Sequence, residues 1–224
     1  MSLEVIEIET APNPTVSIIV LHGLGADGND FVPFAQDLDL ASVGAVRFVF
    51  PHAPMRPVTI NGGHVMRAWY DILGADLGVD GHKREDEAGL RQSQASVDAL
   101  IAAQRGRGVA ARRIVLAGFS QGCAMTLMTG LRYGQRLAGL LCMSGYLPLA
   151  AQTAAERSPA NAGVPIFQAH GNADTVIPIA RASASRDALI ALGYPVEWHA
   201  YPMPHSVCAP EIADMNRWLL RVLA

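Results

Sequence analysis

The stretch Ile114-Val115-Leu116-Ala117-Gly118-Phe119-Ser120-Gln121-Gly122 constrains this chain more than any other. Four apolar residues run straight into a Gly-x-Ser-x-Gly pentapeptide. Met125, Leu127, Met128 and Leu131 then fall at positions that suit a packed helix over 123–132. An unbroken apolar run reads as a strand buried on both faces, as in a parallel sheet. A chain that turns from such a strand into a helix around one residue has no room for side chains on either flank, which accounts for Gly118 and Gly122. The apex residue takes a strained backbone conformation, and its side chain projects from the sheet's end beside the positive end of the helix. The pentapeptide alone recurs by chance. Its place between an apolar run and a helical pattern makes Ser120 a candidate nucleophile rather than part of an ordinary Gly-Ser turn.

The rest of the chain repeats the alternation. Residues 3–9 alternate apolar and acidic, as an edge strand does. Strands are expected at 16–21, 46–50, 137–143, 164–169 and 196–201. Helices are expected where Phe31, Phe34, Ala35 and Leu38 are spaced, and at 85–104, 180–192 and 210–222. Residues 55–82 are the least regular and read as an apolar insert whose aromatics argue against disorder; 145–163 reads as a Pro- and Ala-rich loop. No repeat or linker divides the sequence, so residues 1–224 are expected to form one domain. Strands alternating with helices predict the α/β class: a mostly parallel central sheet with helices on both faces and chemistry at the carboxyl ends of the strands.

Several functions are disfavoured by composition. The net charge is −3 and the basic residues do not cluster, so nucleic acid is not an expected partner. No apolar run approaches the roughly 20 residues that span a bilayer, and the acidic, alternating start does not resemble a signal peptide. The three cysteines, Cys123, Cys142 and Cys208, fit a reducing compartment without a disulfide framework, so the cytoplasm is expected. Cys123 is expected to pack in the crowded turn after Ser120, and nothing assigns Cys208 a task. With no His-x-x-x-His/Glu set, no Cys-x-x-Cys, no third glycine after Gly23-Leu24-Gly25 and no Gly-Lys-Ser/Thr, neither a metal nor any other cofactor is expected.

A serine hydroxyl needs a base to take its proton, and the base needs a carboxylate to hold it; around this kind of turn the chain order is Ser, Asp/Glu, His. Three histidines follow Ser120. His199 lies inside an expected strand. His170 precedes every suitable carboxylate and is better placed to brace the next loop. His205, in the Pro-bounded loop after the last strand, can return over the strand ends. Asp174 follows the next-to-last strand directly, whereas Asp187, Glu197 and Asp214 sit within helices or strands. The developing oxyanion needs two aimed donors. The backbone N–H of Gln121 is one, and the N–H of Leu24, in the loop His22-Gly23-Leu24-Gly25, is the other. The His22 ring is expected to brace that loop.

These residues together resemble the carboxylesterase and acyl-protein thioesterase (phospholipase/carboxylesterase) family of α/β-hydrolases. The resemblance spans nearly the whole chain. It rests on Leu21-His22-Gly23-Leu24-Gly25, Pro51-His52-Ala53-Pro54, Arg56-Pro57-Val58-Thr59, Trp69-Tyr70-Asp71-Ile72, Arg84-Glu85-Asp86-Glu87, Gly118-Phe119-Ser120-Gln121-Gly122, His170-Gly171 with Asp174, and His205-Ser206. It implies the α/β-hydrolase fold with a small loop insert instead of a large lid, a triad of Ser120, Asp174 and His205, and oxyanion donors at Leu24 and Gln121. It also implies an apolar acyl channel bordered by Trp69, Leu73 and Val176, although filling the core is the plainer role for Trp69. Cys123 stands where Gly is frequent and Arg67 where Pro is frequent; the latter bears on the shape of the acyl loop. The expected activity is hydrolysis of short-to-medium acyl esters or thioesters through an acyl-enzyme, with lysophospholipids and acylated protein cysteines as rival substrates. A homodimer is compatible with the resemblance. A binding protein of hydrolase shape without catalysis is the rival from another class.

Overall fold

In the computed structural model, residues 3–74 and 85–224 are described. Seven strands form the main sheet: β1 (Val5–Glu9), β2 (Val16–Leu21), β3 (Val46–Pro51), β6 (Ile114–Phe119), β7 (Gly139–Met143), β8 (Ile166–Gly171) and β9 (Val196–Tyr201). Their spatial order is β1-β3-β2-β6-β7-β8-β9. Within this sheet, among the described residues, only the edge strand β1 runs antiparallel to its neighbour, and the other pairings are parallel. The elbow strand β6 is central, with β2 in register on one side and β7 on the other.

Side-chain alternation along these strands feeds two separate cores. Ile19 and Leu21 of β2 and Leu116 of β6 pack against helices α2 (Glu87–Gly106) and α3 (Gln121–Gly130), with Leu189 of α5 (Ile179–Ala191) in the same core. Val16, Ile18 and Val20, with Val115 and Ala117, face the opposite way toward Phe34 of α1 (Val32–Asp37) and Met215, Trp218 and Leu219 of α6 (Ala209–Val222). A sheet covered on both faces must be apolar on both faces, which is why β2 and β3 read as continuous runs. Every residue of α3 is buried, because it starts at the elbow and lies between the sheet and α2.

Three segments differ from the sequence-based expectation. Part of the supposedly irregular insert is an antiparallel hairpin, β4 (Met55–Val58) and β5 (His64–Arg67), turning through Asn61-Gly62-Gly63. Its residues are mostly exposed or half-buried, so no apolar run announces it. The supposed loop after β7 contains a helix, α4 (Ala150–Glu156); only Thr153 is buried there, so the alanines carry no periodic signal. The expected helix near Phe31 is a 3-10 turn, Gly28–Phe31, running into the short α1. The part of the insert at 75–82 lies outside the described residues.

Candidate active site

Ser120 sits between β6 and α3 with φ 56° and ψ −117°, a conformation that L-residues rarely adopt. The strain is held by packing. A Cβ on Gly118 would collide with the carbonyl of Gly122, and one on Gly122 with the carbonyl of Leu21, so both flanks must be glycine. The Ser120 N–H donates to the Met143 carbonyl of β7 at 2.9 Å, which ties the apex to the neighbouring strand.

The other two predicted side chains converge on it. His205 Nε2 lies 2.9 Å from Ser120 Oγ, and His205 Nδ1 lies 2.6 Å from Asp174 Oδ2. A carboxylate facing Nδ1 requires the proton there, so Nε2 accepts from the serine hydroxyl. Phe119 packs on the imidazole with ring centroids 4.7 Å apart. Asp174 is anchored separately: its Oδ1 accepts from the backbone N–H of Val176 at 2.9 Å and of Ile177 at 2.8 Å. Burial alone would raise its pKa, but hydrogen bonds from His205 and the two amides outweigh this and hold it below the usual value. His170 is fully buried beneath the loop. Its Nε2–H donates to the Ile177 carbonyl at 2.8 Å and lies 3.3 Å from Asp174 Oδ2, the bracing position expected of it. His199 is remote from this group, stacked on Phe167 and beside Glu197.

Gln121 is the first residue of α3, so its N–H has no partner within the helix. Leu24 follows β2 and lines the same clefts as Ser120. Within this loop the His22 ring accepts from the Ala53 N–H at Nε2, 3.0 Å, and donates from Nδ1 to the Gly23 carbonyl, 2.7 Å. Both ring nitrogens are thereby used in the neutral form, and burial lowers the His22 pKa accordingly. The ring braces the loop.

Two clefts meet at Ser120, with Val176 and Leu24 on the wall between them. The larger, about 550 Å³, is lined by His205 and by Phe31, Phe34, Phe119, Val207 and Ile212. The smaller, about 350 Å³, runs past Ile60, Tyr70 and Ile72 to Tyr146 and Arg181. At that end the Tyr70 and Tyr146 hydroxyls are 2.7 Å apart and the Arg181 guanidinium lies 3.3 Å over the Tyr146 ring. Val176, two-thirds exposed, lines both clefts. Trp69 and Leu73, also expected as substrate contacts, line neither. Trp69 is fully buried with its indole turned toward His22, and Leu73 points to solvent outside both clefts. Tyr70, Asp71 and Ile72, which follow Trp69 in the chain, line the smaller cleft instead. Tyr146 and Arg181 gave no sequence signal: they come from the loop after β7 and the first turn of α5, and only the fold unites them.

A parallel sheet with a strained serine between a central strand and a buried helix defines an α/β-hydrolase. Comparison with known proteins narrows this class. The chain matches the phospholipase/carboxylesterase family over residues 2–223 and belongs to it. It is 40% identical to an acyl-protein thioesterase 1 of Mycosarcoma maydis, covering 98% of this chain and 96% of that one. Among solved structures, Arabidopsis thaliana SOBER1 superposes with a TM-score of 0.86 at 29% identity, covering 93% and 99% of the two chains. Zea mays acyl-protein thioesterase 2 gives 0.85 at 27% identity, covering 99% of each. The chain is therefore a hydrolase of acyl esters or thioesters. No helix among the described residues is long and apolar enough to cross a membrane.

Proposed function

We propose that the protein is a serine hydrolase that works through an acyl-enzyme. The observation that carries this reading is the contact chain from Ser120 Oγ to His205 at 2.9 Å and on to Asp174 at 2.6 Å. Ser120 attacks the substrate carbonyl as His205 Nε2 takes its proton. The carbonyl oxygen, now negative, is held by the N–H groups of Leu24 and Gln121. His205 then protonates the departing alcohol or thiol, and a water deprotonated by His205 releases the acid. Asp174 holds the imidazole in the useful tautomer and stabilises it when charged.

The same chemistry assigns the two clefts. The leaving atom must receive its proton from His205, so the leaving group occupies the 550 Å³ cleft that His205 lines. The acyl arm lies across Val176 in the 350 Å³ cleft. That cleft ends on polar groups of Tyr70, Tyr146 and Arg181, which an apolar chain would have to desolvate, and this supports short-to-medium acyl chains. Of the rival substrates, acylated protein cysteines are favoured by the thioesterase relatives, and a broad apolar leaving-group cleft suits a bulky thiol. The free state of Cys123, Cys142 and Cys208 supports a reducing compartment such as the cytoplasm.

Fluorophosphonate labelling with peptide mapping tests the mechanism: the adduct is expected on Ser120, and an unlabelled protein would overturn the serine mechanism. A panel of p-nitrophenyl esters of rising length, with matched thioesters and lysophospholipids, tests the substrate. Activity is expected to peak at short or medium chains; a peak at the longest would overturn the cleft assignment.

A further inference from the structure

The two N–H groups aimed at the oxyanion belong to separate parts of the chain, the loop after β2 and the first residue of α3. Oxyanion stabilisation demands that both be held within roughly 0.5 Å of the productive position. A third segment, residues 67–70, is bonded to each. On the loop side, the Gly25 N–H donates to the Arg67 carbonyl at 2.9 Å, and the Trp69 indole Nε1–H donates to the His22 carbonyl at 2.9 Å. These bonds bracket Leu24. On the helix side, the Trp69 backbone N–H donates to Gln121 Oε1 at 2.8 Å, and Gln121 Nε2 donates to the Tyr70 carbonyl at 2.7 Å. The Gln121 amide thus pairs with the backbone at 69 and 70 as a neighbouring strand would.

The segment is itself fixed. Ser93 of α2 donates its hydroxyl to the Trp69 carbonyl, and the Ala68 N–H donates to the Pro54 carbonyl at 3.0 Å. Trp69 and His22 are fully buried and Gln121 is 3% exposed, so water does not compete for these bonds. Filling the core explains an apolar residue at 69. It does not explain an N–H reaching the carbonyl two residues before Leu24, which tryptophan provides from a ring of that depth.

We infer that Trp69 and the side chain of Gln121 are positioning residues that set the distance between the Leu24 and Gln121 N–H donors. The inference rests on the serine mechanism proposed above. Trp69 acts on the reaction through the His22 carbonyl and the Gln121 amide, without touching substrate.

Trp69→Phe keeps most of the ring and removes the indole N–H. Gln121→Met keeps the length of the side chain and the backbone N–H while removing both amide bonds. Loss of a whole oxyanion donor slows reactions by about 10²–10³, so a misplaced donor is expected to lower kcat by roughly 10- to 100-fold, with KM little changed. The second readout is a trifluoromethyl ketone carrying the preferred acyl chain. Ser120 Oγ bonds to its carbonyl carbon, the hydroxyl proton passes to His205, and the carbonyl electron pair becomes the oxyanion. Its Ki is expected to rise by the factor by which kcat/KM falls, a parallel that a core-filling role would not produce. An unchanged kcat, or a loss confined to KM that grows with acyl length, would overturn the inference and make Trp69 a filler or a substrate contact. If Trp69→Phe does not fold, Gln121→Met alone decides. Fluorophosphonate labelling of the unmodified protein separates the two readings: without labelling the serine mechanism fails, whereas labelling with unimpaired variants sinks this inference alone.

Discussion

Asp174 and His205 meet at 2.6 Å although 31 residues separate them and each sits in the loop after a different strand. The pairing makes a sharp prediction for Asp174→Asn. The asparagine oxygen can still accept from the amides of Val176 and Ile177, so the loop keeps its shape. Its NH2 group then faces His205 Nδ1, which forces the ring proton onto Nε2 and removes the acceptor that Ser120 needs. Turnover is expected to fall by roughly 10⁴ with little change in KM, the scale of the same change in serine proteases. Steady-state kinetics checks this, and a loss below about tenfold would remove Asp174 from the proposed role.

Ser120 and His205 are expected to act as a unit. Ser120→Ala and His205→Ala should each remove nearly all turnover, and the double variant should be little slower than either single one. The test is a double-mutant cycle on one p-nitrophenyl ester. Losses that multiply would mean that the two side chains work independently, contrary to the proposed proton transfer.

What the sequence made legible follows from what each segment buries. β2, β3 and β6 are wholly or almost wholly buried, so their apolar runs mark them and fix the elbow. Asp174 and His205 followed from chain order once Ser120 was placed, because both lie just past a strand end. The hairpin of β4 and β5 was hidden because half-exposed strands carry mixed residues, and Pro57 inside β4 reads as a break. Trp69 entered as a channel residue only through the family resemblance, with core filling as the plainer role, and the packing sides with the latter: the indole is turned inward to the His22 carbonyl. The polar end of the smaller cleft joins residues 70, 146 and 181, and no local pattern links such distant positions.

Glu211, in the first turn of α6, is fully buried, and among the described residues its carboxylate meets no partner beyond the nearby backbone N–H of Cys208, which is too weak to offset burial. Burial pushes its pKa up to about 7 from an ordinary 4.5. The folded protein therefore holds a proton that the unfolded chain releases. Between these two values the folded state binds more protons, so stability falls as pH rises through the window and levels off above it. Glu211→Gln keeps the shape without the charge. It is expected to match the parent near pH 4.5 and to be more stable at pH 8, by on the order of 3 kcal/mol. Urea unfolding at both pH values checks this; an equal gap at each would mean that Glu211 does not titrate in this range.

Gly171 ends β8 three residues before Asp174, and its α-carbon faces the carbonyls of Met203 and Pro204 at the foot of the His205 loop. A methyl group there would overlap both oxygens far inside van der Waals contact. The carbonyls cannot simply withdraw, because that of Met203 accepts from the Ala173 N–H at 3.1 Å. Gly171→Ala must therefore push the two loops apart, at an overpacking cost of about 1–3 kcal/mol. The displaced element carries the proposed base, so activity should fall further than stability does. We expect the rate of fluorophosphonate labelling to drop at least roughly tenfold at temperatures where the variant remains folded, since misplacement by about 1 Å can cost up to 10²-fold. Labelling at the parent rate would show that the His205 loop yields without moving the imidazole, and that Gly171 serves packing alone.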